Sequence, residues 1–312
     1  MVLETVFGAL PGTPSWQTIP YLGDGFTIAS QVPPYMPDTN FGGGIGEFVA
    51  IQHRQDNGGS LEVLLWPQIT KMLFDAVLAR DGNGDLYSYS VQQYTPVISR
   101  QILGAVASGL DLKVTGTGEG ETVLTTKWLA QSAIEIEALN PASDFPVTGI
   151  DLRPFLAGDA YILLNGVAAA DIEEYTISVE NKLFAGPLTT IEGMDLRVVR
   201  WFASEIQQVT LDLTQINVNS DLWQAMQAAE SVSFEVEFRN PLGYTLGIQL
   251  PRLVIMAVTE DGTPSKVARE KPKLRALEPT AGASVINYAV DIATNATTMA
   301  PMTTEAPTTA GG

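Results

Sequence analysis

Short runs of alternating apolar and polar residues recur along the chain, separated by glycine and proline. In the clearest run, residues 232–239, valine and phenylalanine alternate with serine, glutamate and arginine, and similar runs occur at 110–115 and 209–214. A period of two is typical of a strand that buries one face and exposes the other. Residues 244–256 predict a longer strand, in which Pro251 is compatible only with an edge or a bulge. The pattern therefore predicts a mainly β protein.

Two segments follow the period of a helix instead. After Pro67, which suits a first helical turn, apolar residues recur at i, i+3 and i+4 and predict a helix near residues 67–79. A second helix is predicted near residues 221–230, with Ser220 or Asp221 as its N-cap. Because both helices are short and amphipathic, we expect them to lie against the sheet.

The composition narrows the chemistry that the protein can perform. The 312 residues include one histidine and no cysteine, which excludes disulfides, thiol nucleophiles, Cys/His zinc sites and histidine-based triads. The 17 basic and 35 acidic residues give a net charge of −18, which disfavours binding to nucleic acid or to an anionic membrane. No apolar run approaches the roughly 20 residues of a membrane-spanning helix. We therefore predict no enzyme activity, no catalytic residue and no membrane insertion.

The few motif-like segments have simpler interpretations. Residues 81–85 carry the first ligands of a calcium-binding loop, but the sharp-turn glycine and the bidentate glutamate are absent, which favours a polar turn. The glycine-rich segment 42–46 lacks the strand, helix and lysine of a phosphate-binding loop. Glu135 and Glu137 lie two residues apart on one strand, which indicates an acidic surface rather than a pair of glycosidase carboxylates. We predict no metal site and no cofactor.

Basic residues cluster near the end of an otherwise acidic sequence. Five of the 17 fall within ten positions: Lys266, Arg269, Lys271, Lys273 and Arg275. The cluster contains no aromatic residue that would stack on a base, and we expect it to contact an acidic surface of a neighbouring subunit. His53 has no neighbouring serine or cysteine to activate, so we predict that His53 and Arg54 are subunit-contact residues as well.

Two segments lack the periodicity of a folded element. Residues 30–59 contain paired prolines and glycine runs, and a loop of this length within a domain is typically functional or disordered. Residues 293–312 consist mostly of Thr, Ala, Pro, Met and Gly, which predicts a flexible tail with no core of its own. We expect one β domain over residues 1–292, with an N-terminal arm and a long loop at about 30–59, followed by this tail.

The order of the predicted elements is informative as a whole. An N-terminal arm and a long loop precede a strand and a short helix, and a series of strands follows, over these segments: 19–21, 59–66, 87–91, 161–166, 173–181, 207–213, 234–238 and 250–254. This order resembles the major tail tube protein of long-tailed (siphovirus-type) bacteriophages. The resemblance covers roughly residues 15–260, and the order of the elements carries it rather than any single motif.

The resemblance implies a two-sheet β-sandwich or barrel with one or two short flanking helices. Subunits of that family form hexameric rings, and the rings stack into a tube through which genomic DNA passes without specific binding. The inner strands of six subunits line the lumen as one continuous barrel. The tape measure protein and the tail terminator would be further partners. The protein would belong to the virion tail, after assembly in the host cytoplasm.

Strand parity selects candidate residues for the wall of such a tube. Asp111, Asp212, Glu235 and Glu237 lie on the polar sides of alternating strands, so we expect them to point away from the core. If the resemblance holds, they point toward the lumen. A wall of such acids would keep DNA phosphates from binding and let the genome slide.

Two other functions remain open. A carbohydrate-binding or carbohydrate-cleaving β-sandwich would use tryptophans as stacking platforms, and the chain contains five: Trp16, Trp66, Trp128, Trp201 and Trp223. Most of these lie in apolar runs, which favours core positions over binding positions. The protein could also be another virion component, such as a decoration or baseplate protein.

Overall fold

The computed structural model describes a mainly β protein, and two short helices lie in the residues that it describes. It describes residues 1–20, 22, 27–31, 34–35, 51–52, 56–94, 99–116, 120, 122–136, 153–186, 188–191, 195–198, 201–216, 221–261 and 268–291. The helices are α1 (Pro67–Leu78) and α2 (Asp221–Gln227), and a single 3-10 turn spans Ala157–Asp159. Both helices predicted from the sequence are confirmed, as is the mainly β fold class.

The described strands are numbered in chain order. Those of the first half are β1 (Val2–Leu3), β2 (Thr27–Gln31), β3 (Pro34–Tyr35), β4 (Ile51–Gln52), β5 (Asp56–Leu64), β6 (Ser88–Tyr94), β7 (Ser99–Thr115), β8 (Thr122–Ala130) and β9 (Ser132–Ile136). Those of the second half are β10 (Ala160–Leu164), β11 (Val167–Ala168), β12 (Ile172–Ala185), β13 (Leu188–Ile191), β14 (Asp195–Val198), β15 (Trp201–Ile216), β16 (Ser231–Arg239), β17 (Thr245–Asp261), β18 (Arg269–Ala276) and β19 (Asn287–Asp291).

Fifteen of these strands form one antiparallel sheet. Its main order is β11-β10-β16-β17-β18-β15-β12-β7-β8-β5-β2, with β19 beside β17, β6 and β9 beside β7, and β1 beside β6. The pairs β13–β14 and β3–β4 form two small separate sheets. The long loop predicted at about 30–59 therefore contains short strands, and the rest of it lies outside the described residues.

A row of buried apolar side chains crosses seven neighbouring strands on the inner side of the sheet. Each member is the cross-strand partner of the next: Ile255, Leu274, Leu211, Ile177, Leu112, Leu124 and Val63. None of the seven is more than 6% exposed. Side chains alternate along a strand. The residues next in sequence to each member of this row therefore point outward, on every strand from β17 to β5.

The sheet curls over its own apolar side, so that two layers enclose one core. Strands β12 and β16 are separated in the sheet by β15, β18 and β17, yet the rings of Tyr175 and Phe234 meet at a centroid distance of 5.5 Å. Phe155 also links the two layers, because its N–H donates at 2.9 Å to the carbonyl of Leu65, which follows β5, and its ring packs on Phe238 of β16 at 5.7 Å. The two expected layers are therefore parts of one continuous sheet.

Strand β17 passes from one layer to the other. Its first part pairs with β16 and β19, and its last part pairs with β18. Between them, Pro251 and Arg252 lie opposite the single residue Ser233, which is a β-bulge. A bulge leaves a residue outside the ladder, so the missing N–H of proline breaks no cross-strand bond there. The sequence-based expectation for Pro251 is confirmed.

Helix α1 packs against the core beside β7 and β19. Its buried stripe consists of Ile69, Leu73, Phe74, Ala76 and Val77. The side-chain amide of Asn181 on β12 donates to the carbonyl of Val77 at 2.8 Å, and the hydroxyl of Tyr288 on β19 donates to Asp75. These contacts fix both sides of the helix to the sheet.

The row across seven strands makes a direct prediction about stability. Leu112 is fully buried at its centre, so Leu112→Ala should lower the free energy of unfolding by about 2–5 kcal/mol, because it leaves a cavity. Thr176→Ala, on the outward side of the neighbouring strand, is the control and should change it by less than about 0.5 kcal/mol. Urea denaturation of both variants measures this. Equal losses in the two variants would contradict the assignment of inner and outer sides.

Candidate functional surfaces

The outward side of the central strands forms a continuous polar surface, which we call the central face. It covers the stretch in which β5, β8, β7, β12, β15 and β18 pair side by side. One row of partners is Asp111, Ser178 and Thr210, and the next row is Lys113, Thr176 and Asp212. The predicted orientation of Asp111 and Asp212, away from the core, is therefore confirmed.

The charges of the central face are balanced. Its acids are Glu62, Asp111, Glu173, Glu174, Glu180 and Asp212, and its bases are Lys113, Lys127, Arg269, Lys271, Lys273 and Arg275. Among the described side chains of this paired stretch, six carboxylates stand against six bases, so the net charge of −18 belongs to the rest of the chain. The acidic surface expected from parity is not present on this face.

Ion pairs hold several of these groups together. Lys127 Nζ lies 2.7 Å from Asp111 Oδ2, and Lys273 Nζ lies 3.9 Å from Asp212 Oδ1. At one end of the face, the guanidinium of Arg269 donates to both carboxylate oxygens of Glu173, at 2.5 and 3.1 Å. Each of these acids therefore has a basic neighbour within its own chain.

A groove of about 430 Å³ opens on the central face. Lys127 and Lys273 contribute to its walls, and Asp111 and Glu180 lie in it as well. Gly109 lies at a shift of register beside Lys127, and a Cβ at Gly109 would approach Lys127 Cδ to 3.8 Å. The lysine stem therefore passes close to the glycine on its way to Asp111.

The other two acids predicted for the wall lie on a different surface. Glu235 and Glu237 alternate along β16 with Phe234, Val236 and Phe238, whose side chains are buried. Because Phe234 meets Tyr175 of β12 across the core, the outward sides of β16 and β12 point in opposite directions. Glu235 and Glu237 therefore lie on a different surface from Asp111 and Asp212, although each strand has the predicted inner and outer sides. That any of the four acids faces a lumen stays a prediction.

One of the two acids of β16, Glu237, also has a basic neighbour. The guanidinium of Arg239 donates to both carboxylate oxygens of Glu237 at 2.8 Å, and this hydrogen bonding raises the pKa of Arg239. Glu235 has Gln249 as its cross-strand partner on β17. We call the outward side of β10, β16, β19 and the first part of β17 the opposite face.

The basic cluster predicted near the end of the chain is part of the sheet. Lys271, Lys273 and Arg275 point outward from β18 on the central face, and Arg269 pairs with Glu173. Two of the five residues, Arg269 and Lys273, thus lie beside acids of their own sheet, because β18 is a central strand. Lys266 lies outside the described residues. A contact between these bases and a neighbouring subunit stays a prediction.

The sequence analysis missed Glu4, which fastens the N-terminal arm. This buried carboxylate accepts hydrogen bonds from Gly8 N at 2.8 Å, Ser90 Oγ at 2.7 Å and Gly104 N at 2.9 Å. The arm is thereby fixed to β6 and β7. His53 and Arg54, the other predicted contact residues, lie outside the described residues.

The tryptophans do not form an exposed platform within the described part of the chain. Trp128 and Trp201 are only 2% and 5% exposed, and Trp66 packs against the core. Trp223 on α2 is 39% exposed. Since a sugar ring stacks on an accessible aromatic face, the buried tryptophans are unsuited to carbohydrate binding.

The described residues contain no group of three or more His, Asp or Glu side chains arranged to hold a metal ion. None of the helices in these residues has the length and apolar character needed to cross a membrane.

Comparisons with known proteins give one informative match. Residues 1–270 match the model of a family described as phage tail tube protein. No curated protein matches the chain. A chain from the virion of a native gene transfer agent particle is 14% identical, covers 42% of this chain and 95% of its own length, and has a TM-score of 0.31. A type VI secretion system effector from Yersinia pestis is 13% identical, covers 43% of this chain and 98% of its own length, and has a TM-score of 0.22. Structural similarity this weak carries no argument.

The pair of Arg269 and Glu173 makes a prediction about pH. The hydrogen bond from Arg269 lowers the pKa of Glu173 from its ordinary value of 4.5. A lowered folded-state pKa stabilises the protein above the unfolded value, and this stabilisation is lost as the pH falls through the folded pKa. Arg269→Met should therefore destabilise the protein at pH 7 and have a smaller effect near pH 3, as measured by urea denaturation.

Lys113→Met, which removes the same charge from the central face, is the control for this measurement. A destabilisation by Arg269→Met that is the same at both pH values would contradict the ion pair.

Proposed function

Because the chain belongs to the phage tail tube protein family, we propose that it assembles into hexameric rings whose stacking forms the tube of a phage tail. Family membership makes it a structural component of the virion tail. The ring, its six subunits and the passage of DNA through the tube are the finer parts of the proposal. Assembly would take place in the host cytoplasm, before the tail joins the virion.

The observation that carries the proposal is the breadth of the central face. A buried apolar row on one side of seven strands leaves the other side polar over β5, β8, β7, β12, β15 and β18 without an interruption by a helix. A tube wall built from sheets needs such a surface, which is in contact with water on one side and with the core on the other. We assign the central face to the lumen.

DNA would pass over this face without specific binding. Acids and bases are equal in number among the described side chains of this face, and the cations of Lys127, Lys273 and Arg269, which are paired with acids, are less available to phosphate. The acidic lumen predicted from the sequence is thus replaced by a balanced one in this proposal. Glu235 and Glu237, on the opposite face, would lie toward the outside of the tube.

Other partners and contacts follow from the same arrangement. The tape measure protein would occupy the lumen before DNA does, and the tail terminator would close the end of the tube. Residues 30–59 and the N-terminal arm would contact the next ring. His53 and Arg54 belong to this contact in the proposal, and Lys266 would contact a neighbouring subunit.

The absence of cysteine allows a direct test of orientation. Thr176→Cys places a thiol on the central face, and Gln249→Cys places one on the opposite face. A maleimide attached to a large polymer should label both variants as free subunits. In assembled tubes it should label only Gln249→Cys, because the polymer does not enter the lumen.

Two results would count against the proposal. Equal labelling of Thr176→Cys in tubes and in free subunits would overturn the orientation. Absence of rings and tubes in electron micrographs of the unmodified protein, over a range of salt concentrations, would overturn the assembly itself.

The long loop can be removed without disturbing the strands around it. Tyr35 and Ile51 are cross-strand partners, so a two-residue Asn-Gly turn can replace residues 36–50 and close β3 and β4 as a hairpin. We expect this variant to fold and to form rings that no longer stack, as seen by electron microscopy and sedimentation. Tubes of normal length would contradict the role of the loop in stacking.

A further inference from the structure

The central face carries lysines, although the proposed function places it against DNA. Lys127 and Lys273 lie on β8 and β18, and both contribute to the walls of the groove on this face. Their side chains are 57% and 62% exposed. Lysines that line a surface of this kind bind phosphates and release the counterions of DNA, which gives an affinity that depends on salt. Exposed lysines in a DNA conduit therefore need a reason not to bind.

Carboxylates lie beside these lysines. Asp111 contacts Lys127 at 2.7 Å, and Asp212 lies 3.9 Å from Lys273. Asp111 and Asp212 project from paired strands, so their positions are fixed by the sheet. Strands β7 and β15 flank β12, which places the two aspartates on either side of the same central strand. The side chains of Lys127 and Lys273 are long and flexible and extend to these aspartates.

We propose that Asp111 and Asp212 mask Lys127 and Lys273, so that double-stranded DNA meets fixed ion pairs and slides over them. The acids act here by occupying the lysines and not by repelling the DNA, since the face as a whole has no net charge. A lysine that is paired with a carboxylate releases fewer counterions on contact with DNA than a free lysine does. This inference rests on the proposed lumen position of the central face.

The masking gives a reason for the presence of Lys127 and Lys273 on this face of a chain with a net charge of −18. Repulsion alone would be served by acids without lysines. The cross-strand pairs contribute to holding β8 against β7 and β18 against β15, and the aspartates then keep the same lysines from phosphate.

The test removes the masks and leaves the lysines in place. In the double variant Asp111→Asn and Asp212→Asn, the amides have nearly the same shape as the carboxylates, and exposed ion pairs contribute little to folding. Tubes are assembled in the presence of a linear DNA duplex of about 100 base pairs and washed at rising salt. Nuclease-protected DNA that sediments with the tubes is then measured. We expect the variant to retain roughly ten times more DNA than the unmodified tubes at low salt, and the excess to disappear at high salt.

A matched control changes the same charge on the other surface. The double variant Glu235→Gln and Glu237→Gln also removes two acids, one of them paired with Arg239, but from the opposite face. Its tubes should protect no more DNA than the unmodified tubes do. Circular dichroism and electron microscopy verify folding and tube formation for both variants.

The outcomes separate this inference from the proposed function. If both variants form tubes and neither retains additional DNA, the masking role is overturned while assembly stands. If only the variant of the opposite face protects DNA, the lumen has been assigned to the wrong face and the inference falls with it. If the unmodified protein forms no tubes, the proposed function itself fails. If the double aspartate variant does not assemble, Lys127→Gln and Lys273→Gln are added to it. We then expect assembly to be restored; continued failure would show that the pairs are structural and would overturn the inference.

Discussion

Closure of a single antiparallel sheet over its own apolar side is the constraint on which the rest of the structure depends. The buried row from Ile255 to Val63 continues through seven strands, and the contact of Tyr175 with Phe234 brings distant parts of the sheet together. Phe155 also joins the two layers, from a separate segment. Since most inner positions are used for this core, the outward positions are left mainly to polar residues, and the protein acquires two outward faces that point in opposite directions.

The central face and the rest of the chain differ in net charge. The central face balances six acids with six bases, whereas the chain as a whole has a net charge of −18. A balanced face suits contact with a polyanion that must neither bind nor be excluded, and an acidic remainder favours solubility and discourages wrapping of DNA around the outside. The distribution of charge, rather than its total, therefore connects the fold with the proposed conduit.

Local features of the fold were predictable from the sequence, because they depend on neighbours in the chain. The alternation in β16 gave its inner and outer sides, Pro67 marked the start of α1, and Pro251 indicated a bulge. The order of elements also pointed to the correct family. Each of these features can be recognised from a few consecutive residues or from the order of such segments along the chain.

Features that depend on which strands pair were not predictable in this way. The basic cluster became strand β18 because its alternate residues Glu270, Pro272 and Leu274 are buried, a pattern that the charges concealed. Lys127 and Asp111 lie 16 positions apart, so only the register of β8 with β7 brings them together. Glu235 and Asp212 both point outward from their strands but lie in different layers. The alternation along a strand shows which side of the strand a residue occupies, and it does not show which layer contains the strand.

The most direct test of the central claim is a helical reconstruction by electron cryomicroscopy of tubes formed by the purified protein. We expect six subunits per ring, with the side chains of Thr176, Asp111 and Asp212 directed into the lumen and Glu235 directed away from it. A tube whose lumen is lined by β16, or an assembly without a lumen, would contradict it.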